Sequence, residues 1–528
     1  MNTKALRQKI LDLAIRGKLV PQDPHDEPAS VLLERIRDEK LQMVKDGRLK
    51  PKDIKNDTII FKGEDNLHYE QFADGTVKCI EDEIPFEVPD GWEWCRINSI
   101  SENVTDGDHQ PPPQTESGFP FLVISNVSDG YIHFENTRYV SKEYYQTLSE
   151  YRKARAGDLL FTVTGSYGIP VPVESSQPFC FQRHIAIIRP CEISNQYLSI
   201  VLSSKYIKRL CDELSTGTAQ KTVGLATLRN FLIPIPPANE QALIIDKVHR
   251  LLILVDEIRD NKNQLIDVVN AAKLKILDLA IRGRLVPQDP NDEPASALVE
   301  RIRAEKEKLI QEGKIKRDKK ESFIFKGEDN SYYRRTGKEV EDISSDLPFG
   351  IPDSWVWEQL GNLCAVNPRN NLPDNIVTSF IPMSMIEDGF SGKHSSESHP
   401  WKEIKSGFTH FQNGDIGIAK ITPCFENRKS TVFHNLIGGY GAGTTELYIL
   451  RSYNSEIIPE YLLALVKGER FISHGKQSFT GAVGQQRIGK DYVTNTFCPF
   501  PPVEEQKRIV EAISAYFAQL DRITDALV

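Results

Sequence analysis

The 528-residue chain is 39% hydrophobic and 26% charged, a composition typical of a folded protein with several domains. Residues 1–16 mix lysine, arginine and aspartate among apolar residues, and no apolar run approaches ~18 residues. We therefore expect neither a signal peptide nor a membrane span, and a cytoplasmic location. The net charge of −9 and the pI near 5.8 count against a simple nucleic-acid binder, because such domains are usually strongly basic.

The cysteines indicate neither a zinc ribbon nor a disulfide framework, because no two of them form a Cys-x-x-Cys pair. We expect reduced thiols and no metal bound by this chain. The eight positions are Cys79, Cys95, Cys180, Cys191, Cys211, Cys364, Cys424 and Cys498.

The chain contains a long internal repeat. The 32 residues from Lys9 to Lys40 recur at residues 275–306 with 27 identities, at an offset of 266. The repeat continues with Phe-Lys-Gly-Glu-Asp-Asn at residues 61 and 325, and with Pro-x-Pro-Pro-x-x-Glu-Gln at residues 234 and 499. Because the offset is close to half of the chain length, we expect two related units that repeat in a circle. Both chain termini then lie inside an element that is continuous in the other unit.

Two segments between the repeated parts share little identity. We call residues 84–235 the first insert and residues 347–500 the second insert. Near-identical scaffolds that carry different inserts predict a holder for two different recognition surfaces, because a duplicated enzyme would tend to repeat its catalytic residues. The repeated parts are predicted as a helical region at residues 1–83, a central helical region at 236–346 and a terminal helix at 501–528.

A heptad pattern predicts a helix from Ala238 to Arg282. Its apolar positions alternate in steps of four and three, with one vacancy at Lys262, and Gly283 ends the helix. Ordinary packing against a core is the alternative interpretation. The pattern consists of Ile244, Val248, Leu251, Val255, Ile258, Leu265, Val269, Ala272, Ile276 and Leu279.

The second copy of this pattern is divided between the two ends of the chain. The repeat predicts two long antiparallel coiled-coil helices related by a pseudo-twofold axis, with one insert at each end of a rod. The second copy of the heptad pattern consists of Ile509, Ile513, Tyr516, Leu520, Ile523, Leu527, Leu6, Ile10 and Leu13.

A shorter helix is expected in each repeat, with Asp26 or Asp292 as its N-cap and a proline in its first turn. These helices should end near Lys45 and Ile310. Three roles stay open for the basic stretches that follow these helices. They are contact with phosphates, contact with a partner and simple solvation. These stretches are residues 48–55 and 314–320.

Each insert begins with a Trp-x-Trp strand, at Trp92 and Trp355, and continues with short β-rich runs. Helices are expected at residues 195–214 and 458–471. Two compact αβ domains of roughly 150 residues follow, so the predicted fold class is α+β. The other predicted strands are residues 119–124, 158–164, 184–188, 415–421 and 446–450.

Loops in both inserts are rich in side chains that suit DNA. Arginine suits guanine, asparagine and glutamine suit adenine, and lysine suits phosphate. For each single residue an ordinary surface or turn role stays open. The candidates are Asn103, His109, Gln110, Thr164, Ser166, Tyr167, Arg183, Thr218, Gln220, Lys221, Arg369, Asn370, Lys420, Asn427, Arg428, Lys429, Gln485, Gln486 and Arg487.

One loop recurs at a matching place. Residues 216–222 precede Pro234 by the same distance that residues 481–487 precede Pro499, which aligns Gln220 with Gln485. We call these the first and second glycine loops. A DNA-facing loop is the favoured hypothesis, and a structural turn is its competitor.

These motifs resemble the specificity subunit of a type I restriction-modification system. The resemblance rests on the duplicated Pro-x-Pro-Pro-x-x-Glu-Gln motif after a glycine loop, the Gly-Asp strands at Gly157 and Gly414, and the repeated Leu-Asp-Leu-Ala-Ile-Arg-Gly segment. It covers essentially the whole chain. The N-terminal stretch, residues 1–83, is additional to many such subunits and is interpreted as completing the pseudo-symmetry.

The resemblance implies a non-catalytic subunit with two target-recognition domains, the inserts. Such a subunit binds an asymmetric, bipartite DNA sequence and docks two methyltransferase subunits that modify adenine at N6. S-adenosylmethionine, ATP and Mg²⁺ are then expected on partner subunits, including up to two motor-nuclease subunits. The two half-sites should differ and lie about one DNA turn (~34–36 Å) apart, and the partners should supply much of the positive charge that this acidic chain lacks.

Several patterns imitate catalytic motifs. Gly484–Lys490 has the spacing of a phosphate-binding loop, but Asp491 stands where a Ser or Thr should follow. Gly439–Gly443 is interpreted as a hairpin rather than a nucleotide site, and Asp388 with Glu403 is too isolated to indicate a nuclease. A stand-alone nuclease or methyltransferase and a protein-binding coiled-coil adaptor are the two alternative functions.

Overall fold

The computed structural model describes residues 2–109, 112–217, 220–317, 321–482 and 484–527. The chain divides into two compact units, residues 1–261 and 262–528. The division falls within the longest helix, which contributes residues to both units. No helix in the described ranges is long and apolar enough to cross a membrane.

The first unit contains a helical region followed by the mixed αβ structure of the first insert. Its helices are α1 (Thr3–Ile15), α2 (Ala29–Lys45), α3 (Lys142–Thr147), α4 (Asn195–Leu202), α5 (Lys205–Leu214), α6 (Leu225–Arg229) and the first part of α7 (Ala238–Ile281). Its strands are β1 (Ile59–Lys62), β2 (His68–Gln71), β3 (Val77–Cys79), β4 (Glu93–Arg96), β5 (Ser101–Asp106), β6 (Phe119–Leu122), β7 (Arg138–Val140), β8 (Leu159–Thr162), β9 (Pro170–Pro172), β10 (Cys180–Phe181), β11 (Ile185–Pro190) and β12 (Leu232–Ile235).

The second unit follows the same plan. Its helices, after the remainder of α7, are α8 (Ala295–Gln311), α9 (Leu360–Leu363), α10 (Trp401–Ile404), α11 (Pro459–Lys467), α12 (Glu469–Gln477), α13 (Lys490–Asn495) and α14 (Val503–Leu527). Its strands are β13 (Ser322–Lys326), β14 (Tyr332–Thr336), β15 (Glu339–Asp342), β16 (Val356–Gln359), β17 (Cys364–Val366), β18 (Val377–Ile381), β19 (Glu397–Pro400), β20 (Thr409–Gln412), β21 (Ile416–Ala419), β22 (Ser430–Val432), β23 (Tyr440–Gly443), β24 (Leu447–Ser452) and β25 (Phe497–Phe500).

A four-stranded antiparallel sheet forms the centre of each insert. Its strand order is β5-β11-β8-β9 in the first unit and β17-β24-β21-β22 in the second. A second sheet lies beside it, β10-β6-β7 or β19-β18-β23-β20, and each of these contains one parallel pair. The first and last strands of each insert pair with one another, as β12-β4 and β16-β25. Each insert therefore begins and ends at the same place on its unit.

Both faces of the central sheet are buried at its inner strands, since β8 and β11 in the first unit and β21 in the second are almost continuously apolar. In the first unit Leu159 and Phe161 pack with the helices, while Leu160, Ile185 and Ile187 face a second apolar cluster. Burial of such side chains contributes roughly 1.5–3 kcal/mol each. The ends of the strands are thereby held by a rigid core.

The repeated Glu of the Pro-Pro-x-x-Glu-Gln motif joins each insert to its helices. Trp92 Nε1 donates to Glu240 Oε2 at 2.8 Å, and Gln22 Nε2 donates to Glu240 Oε1 at 2.9 Å. Burial raises the pKa of Glu240 above its usual range. We call this set the Trp–Glu–Gln node. The second unit repeats it with Trp355, Glu505 and Gln288.

The Gly-Asp motif supplies a buried ion pair inside each central sheet. Arg189 on β11 donates two hydrogen bonds to Asp158, at 2.8 and 2.9 Å. Arg451 on β24 pairs in the same way with Asp415. Both carboxylates are nearly inaccessible to solvent, so the motif has a structural role.

The long helix α7 agrees with the prediction to within one residue, but the shorter helices begin later than expected. α2 and α8 start at Ala29 and Ala295, so Pro28 and Pro294 are the N-caps. The prediction that Asp26 is a cap is wrong, because its carboxylate accepts a hydrogen bond from Asn239 instead. Asp292 likewise pairs with an arginine, Arg508 of α14.

Both predicted helices of the inserts are interrupted. Residues 195–214 form α4 and α5, because Ser204 adopts an extended conformation and its hydroxyl accepts from Ile207 N–H. Residues 458–471 are divided between α11 and α12 by Gly468, which is also extended. Each break folds the second helix back onto the insert core.

The heptad pattern is only partly buried. Val248, Val255 and Val269 are buried, as predicted. Leu265 and Ile523 are 38% and 42% exposed, so the predicted continuous apolar seam is wrong at these positions. Burial is greatest near the inserts, because there the helices also pack against α4 or α11.

Residues 440–443 of the glycine-rich segment form a strand, β23, that pairs with β18 and β20, so the hairpin interpretation is wrong. A Cβ atom at Gly441 would lie 2.4 Å from the Phe411 ring, and one at Gly443 would lie 2.1 Å from Ile381 O. Glycine is therefore required because neighbouring groups approach the backbone closely on both sides.

Candidate nucleic-acid interface

In the first unit three strands of the central sheet meet at one edge. Thr162 at the end of β8 pairs with Ile185 at the start of β11, and Asp106 at the end of β5 pairs with Ala186. Because the ends of antiparallel neighbours lie side by side, the loops that leave them share this edge. We call it the first sheet edge.

Hydrogen bonds fix the loops of the first sheet edge to one another. Val163 N–H donates to His184 O at 2.9 Å, and Val223 N–H donates to Val163 O at 2.8 Å. The Thr164 and Thr222 hydroxyls lie 3.1 Å apart. The first glycine loop is thereby placed beside the end of β8.

Most of the first-insert candidates lie on these loops. His109 Nε2 is 3.0 Å from Asp106 Oδ2, and Tyr167 OH donates to Asp212 at 2.8 Å. The remaining candidates there, other than Thr164, are exposed to solvent. They are Ser166, Arg183, Gln220 and Lys221.

One described first-insert candidate, Asn103, is not part of this group. Asn103 lies within β5, three residues before its end, and its Nδ2 is 3.4 Å from Tyr151 O. Gln110 and Thr218 lie outside the described residues. The structure therefore gives Asn103 an intramolecular contact.

The second unit has an equivalent edge, which we call the second sheet edge. Ala419 at the end of β21 pairs with Leu447 at the start of β24, and Val366 at the end of β17 pairs with Leu450. The second glycine loop lies beside the end of β21, because Arg487 forms backbone bridges to residues 421 and 480. The two glycine loops thus occupy corresponding places.

The exposed polar groups of the second sheet edge come from the end of β21 and the glycine loop. Lys420 Nζ lies 5.4 Å from the centre of the Tyr448 ring. Gln485 is exposed and Gln486 is partly exposed. The backbone carbonyl oxygen of Gln486 accepts from Thr422 N–H at 2.9 Å. This edge therefore presents amide and ammonium groups to solvent.

Arg487 forms an ion pair that the sequence did not indicate. Its Nε and Nη2 donate to the two carboxylate oxygens of Glu446, each at 2.9 Å. These hydrogen bonds lower the pKa of Glu446, so the carboxylate stays ionised. Glu446 precedes β24 directly, but a single sequence does not show that its partner lies 41 residues away.

Arg369 and Asn370 have contacts within the second insert. Asn370 Nδ2 donates to Phe411 O at 2.9 Å, and its Oδ1 accepts from Arg451 at 3.0 Å. Arg369 is exposed, and its Nη1 donates to Phe408 O at 3.1 Å. Asn370 is thus committed to holding strands together.

The basic run after β21 is largely turned inward. Arg428 Nε donates to Lys467 O at 3.1 Å, and Lys429 Nζ donates to Met383 O at the same distance. Asn427 is exposed. Among the described residues of this basic run, Asn427 has the side chain that is most accessible to a partner.

The basic stretches after α2 and α8 lie on the surface. Arg48, Lys50, Lys52 and Lys55 are all exposed, whereas Arg317 pairs with glutamates of the same region. Residues 318–320 lie outside the described residues. A role for these stretches in binding stays a prediction.

The exposed side chains of the two sheet edges offer hydrogen-bond donors and acceptors. No group of three His, Cys, Asp or Glu side chains in the described ranges could hold a metal ion. Burial raises the pKa of the Cys95 and Cys364 thiols to about 12, so they remain protonated at neutral pH.

A protein-family model described as type I restriction modification DNA specificity domain matches residues 89–267 and 352–527. The chain is 43% identical over 266 residues to the type I restriction enzyme EcoAI specificity subunit of Escherichia coli, covering 50% of this chain and 41% of that protein. It is 42% identical over 264 residues to the EcoEI specificity subunit of Escherichia coli, covering 49% of this chain and 41% of that protein. The chain thus spans less than half the length of these relatives.

A solved chain from a study of complex assembly and conformational transition of the type I R-M system has a similar fold. Its TM-score is 0.52 at 18% identity, covering 84% of this chain and 94% of that chain. Together with the two family matches, this likeness confirms the predicted α+β class with two insert domains.

Proposed function

Because the chain belongs to the type I restriction modification DNA specificity domain family, we propose that it is the sequence-recognition subunit of a type I restriction-modification complex. Each insert contacts one half of a bipartite double-stranded DNA target. This chain has no catalytic role in the complex, and chemistry takes place on its partners.

The observation that carries this proposal is the pair of equivalent sheet edges with different side chains. The first edge presents Lys221 where the second presents Gln486, and Thr222 where the second presents Arg487. The Trp–Glu–Gln nodes that hold the inserts are the same in both units. Identical supports with different polar edges fit an asymmetric target, whose two halves differ in sequence.

We propose further that the repeated helices dock two methyltransferase subunits and up to two motor-nuclease subunits in the cytoplasm. The heptad pattern of α7 and α14 supports a coiled coil with pseudo-twofold symmetry as the spacer between the inserts. S-adenosylmethionine, ATP and Mg²⁺ then bind to the partners. In this arrangement the spacer fixes the number of unspecified base pairs between the half-sites.

Co-expression with an N6-adenine methyltransferase subunit tests the proposed function. The purified complex should methylate duplexes that contain one bipartite sequence and leave scrambled duplexes unmodified, and the chain alone should modify neither. Sequence-independent methylation would contradict DNA recognition by this chain. Methylation or cleavage by the chain alone would favour an enzyme, and a complex without DNA binding would favour a protein adaptor.

A further inference from the structure

The side chain of Arg487 is held in one orientation at the second sheet edge. Its backbone is fixed by bridges to Ile421 and Thr480. Its Nε–H and one Nη2–H are taken by the Glu446 carboxylate, and Nη1 donates to Gln485 O at 2.9 Å. Four neighbouring groups thus determine where the guanidinium points.

Counting the donors of Arg487 shows what this arrangement leaves available. A guanidinium has five N–H groups, and three of them have partners among the described residues. The two that remain are the second hydrogens of Nη1 and Nη2. One hydrogen therefore remains on each of the two terminal nitrogens of the planar guanidinium, and the side chain is 41% exposed.

Two such donors match guanine. The major-groove edge of guanine presents two neighbouring acceptors, N7 and O6, and a bidentate arginine is their commonest protein partner. A phosphate would also accept two hydrogen bonds, but it would lie beside the Glu446 carboxylate. The Arg487–Glu446 pair has no net charge, so the cation that suits a phosphate at this edge is Lys420, whose charge also acts on Glu446. The uncharged edge of a base is not repelled by the Glu446 carboxylate as a phosphate is.

We propose that Arg487 recognises a guanine in the half-site contacted by the second insert, and that Glu446 is the positioning residue that orients it. This inference rests on the proposed function. The first unit has Thr222 at the corresponding place, hydrogen-bonded to Thr164. Recognition of this guanine therefore belongs to one half-site only.

Methylation of duplexes that differ at one base pair tests the assignment. In the complex with the methyltransferase, Arg487→Ala should relax the preference for one guanine in the second half-site by about 5- to 150-fold, the range typical of one bidentate contact. All other positions should keep their preference. Arg155→Ala is the matched control, because Arg155 also donates to both carboxylate oxygens of one glutamate, Glu102, but precedes β8, whereas the first sheet edge follows this strand.

A modified base tests the same contact in the unaltered protein. Replacing that guanine by 7-deazaguanine removes the N7 acceptor and should weaken binding by the wild-type complex about 5-fold or more, with no further effect on Arg487→Ala. Glu446→Gln should give an intermediate relaxation at the same base pair, because the guanidinium loses its charged partner.

The outcomes separate this inference from the function on which it rests. The inference is overturned if the wild-type target has no guanine in the second half-site, or if the preference for that guanine survives Arg487→Ala. Either result leaves the proposed function intact. Equal weakening on every duplex would show a phosphate contact and would also overturn the inference. A wild-type complex without any sequence preference would contradict the proposed function itself.

Discussion

At the scale of single residues, the repeated motifs of this chain are explained by structural contacts. Glu240 and Glu505 each accept from a buried tryptophan and from an exposed glutamine, so each carboxylate satisfies one buried donor. Asp158 and Asp415 each form an ion pair with an arginine on the neighbouring strand of the sheet. These recurring residues therefore support the inserts. At the sheet edges Gln220 recurs as Gln485, whereas Lys221 and Thr222 are replaced by Gln486 and Arg487.

The node predicts a specific loss of stability. Glu505→Ala removes the acceptor of the buried Trp355 Nε1–H, and an unsatisfied buried donor costs about 1–3 kcal/mol, whereas the exposed Gln288 keeps Gly283 O as an acceptor. Urea unfolding should show this loss. Glu504→Ala is the control, because Glu504 is 61% exposed and pairs only with Lys507 among the described residues, so its loss should cost at most about 1 kcal/mol. Equal effects of the two variants would contradict the role of the node.

Lys467 predicts a pH dependence of stability. Burial lowers the pKa of its ammonium to about 7, against about 10.4 in an unfolded chain. Between these values the unfolded chain binds more protons than the folded one, so the free energy of unfolding rises with pH, by at most about 1.4 kcal/mol per unit. Lys467→Met should remove this slope between pH 7.5 and 9.5.

The control for this titration is Lys476→Met, because Lys476 is 48% exposed and pairs with Glu426 at 3.0 Å. It should keep the slope of the wild-type protein. A Lys467→Met variant with an unchanged slope would show that the lysine is not buried in its neutral form.

At the scale of elements, length and periodicity decided what could be predicted. The helix α7 was predicted to within one residue because its apolar pattern extends over many turns. The breaks at Ser204 and Gly468 were missed, because neither residue excludes a helix by itself. β23 was missed since a strand rich in glycine lacks the usual apolar and β-branched signal.

The candidate interface was predictable in outline only. The spacing to the repeated proline motif aligned the two glycine loops, and the structure places them at corresponding sheet edges. The partners of Asn370 and Arg428 lie on a strand and a helix distant in sequence, so these intramolecular contacts could not be inferred. DNA contact by any of the candidates stays a prediction.

β23 predicts a strong effect of one methyl group. Gly443→Ala would place a Cβ atom 2.1 Å from Ile381 O, so a strand must shift, at a cost of typically about 1–3 kcal/mol or more. Differential scanning calorimetry should show a lower Tm. Gly350→Ala is the control, since nothing lies within 4 Å of its added Cβ and its effect should stay within about 0.5 kcal/mol. Similar Tm values for both variants would contradict the close approach.

At the scale of the whole molecule, the length resolves into two units of similar plan, each with its own insert. The acidic charge of −9 fits a chain in which the recognition surfaces are small and the remainder is support and docking surface. On the proposed function, we expect partner subunits to supply most of the phosphate contacts and this chain to supply the contacts to bases.

This division of roles predicts weak DNA binding by the isolated chain. At about 150 mM salt, fluorescence anisotropy should detect little sequence-specific binding by the chain alone and clear binding after the methyltransferase is added. The affinity of the complex should fall steeply as salt increases. Tight, salt-resistant and sequence-specific binding by the chain alone would contradict this account of its charge.

The central claim is that two inserts independently recognise two halves of one target. Methylome sequencing of cells that carry this chain and its methyltransferase partner, before and after exchange of residues 84–235 for the corresponding insert of another specificity subunit, tests it most directly. The account predicts a bipartite methylated motif in which the exchange alters one half and leaves the other half and the spacer length unchanged. A change in both halves, or in neither, would contradict it.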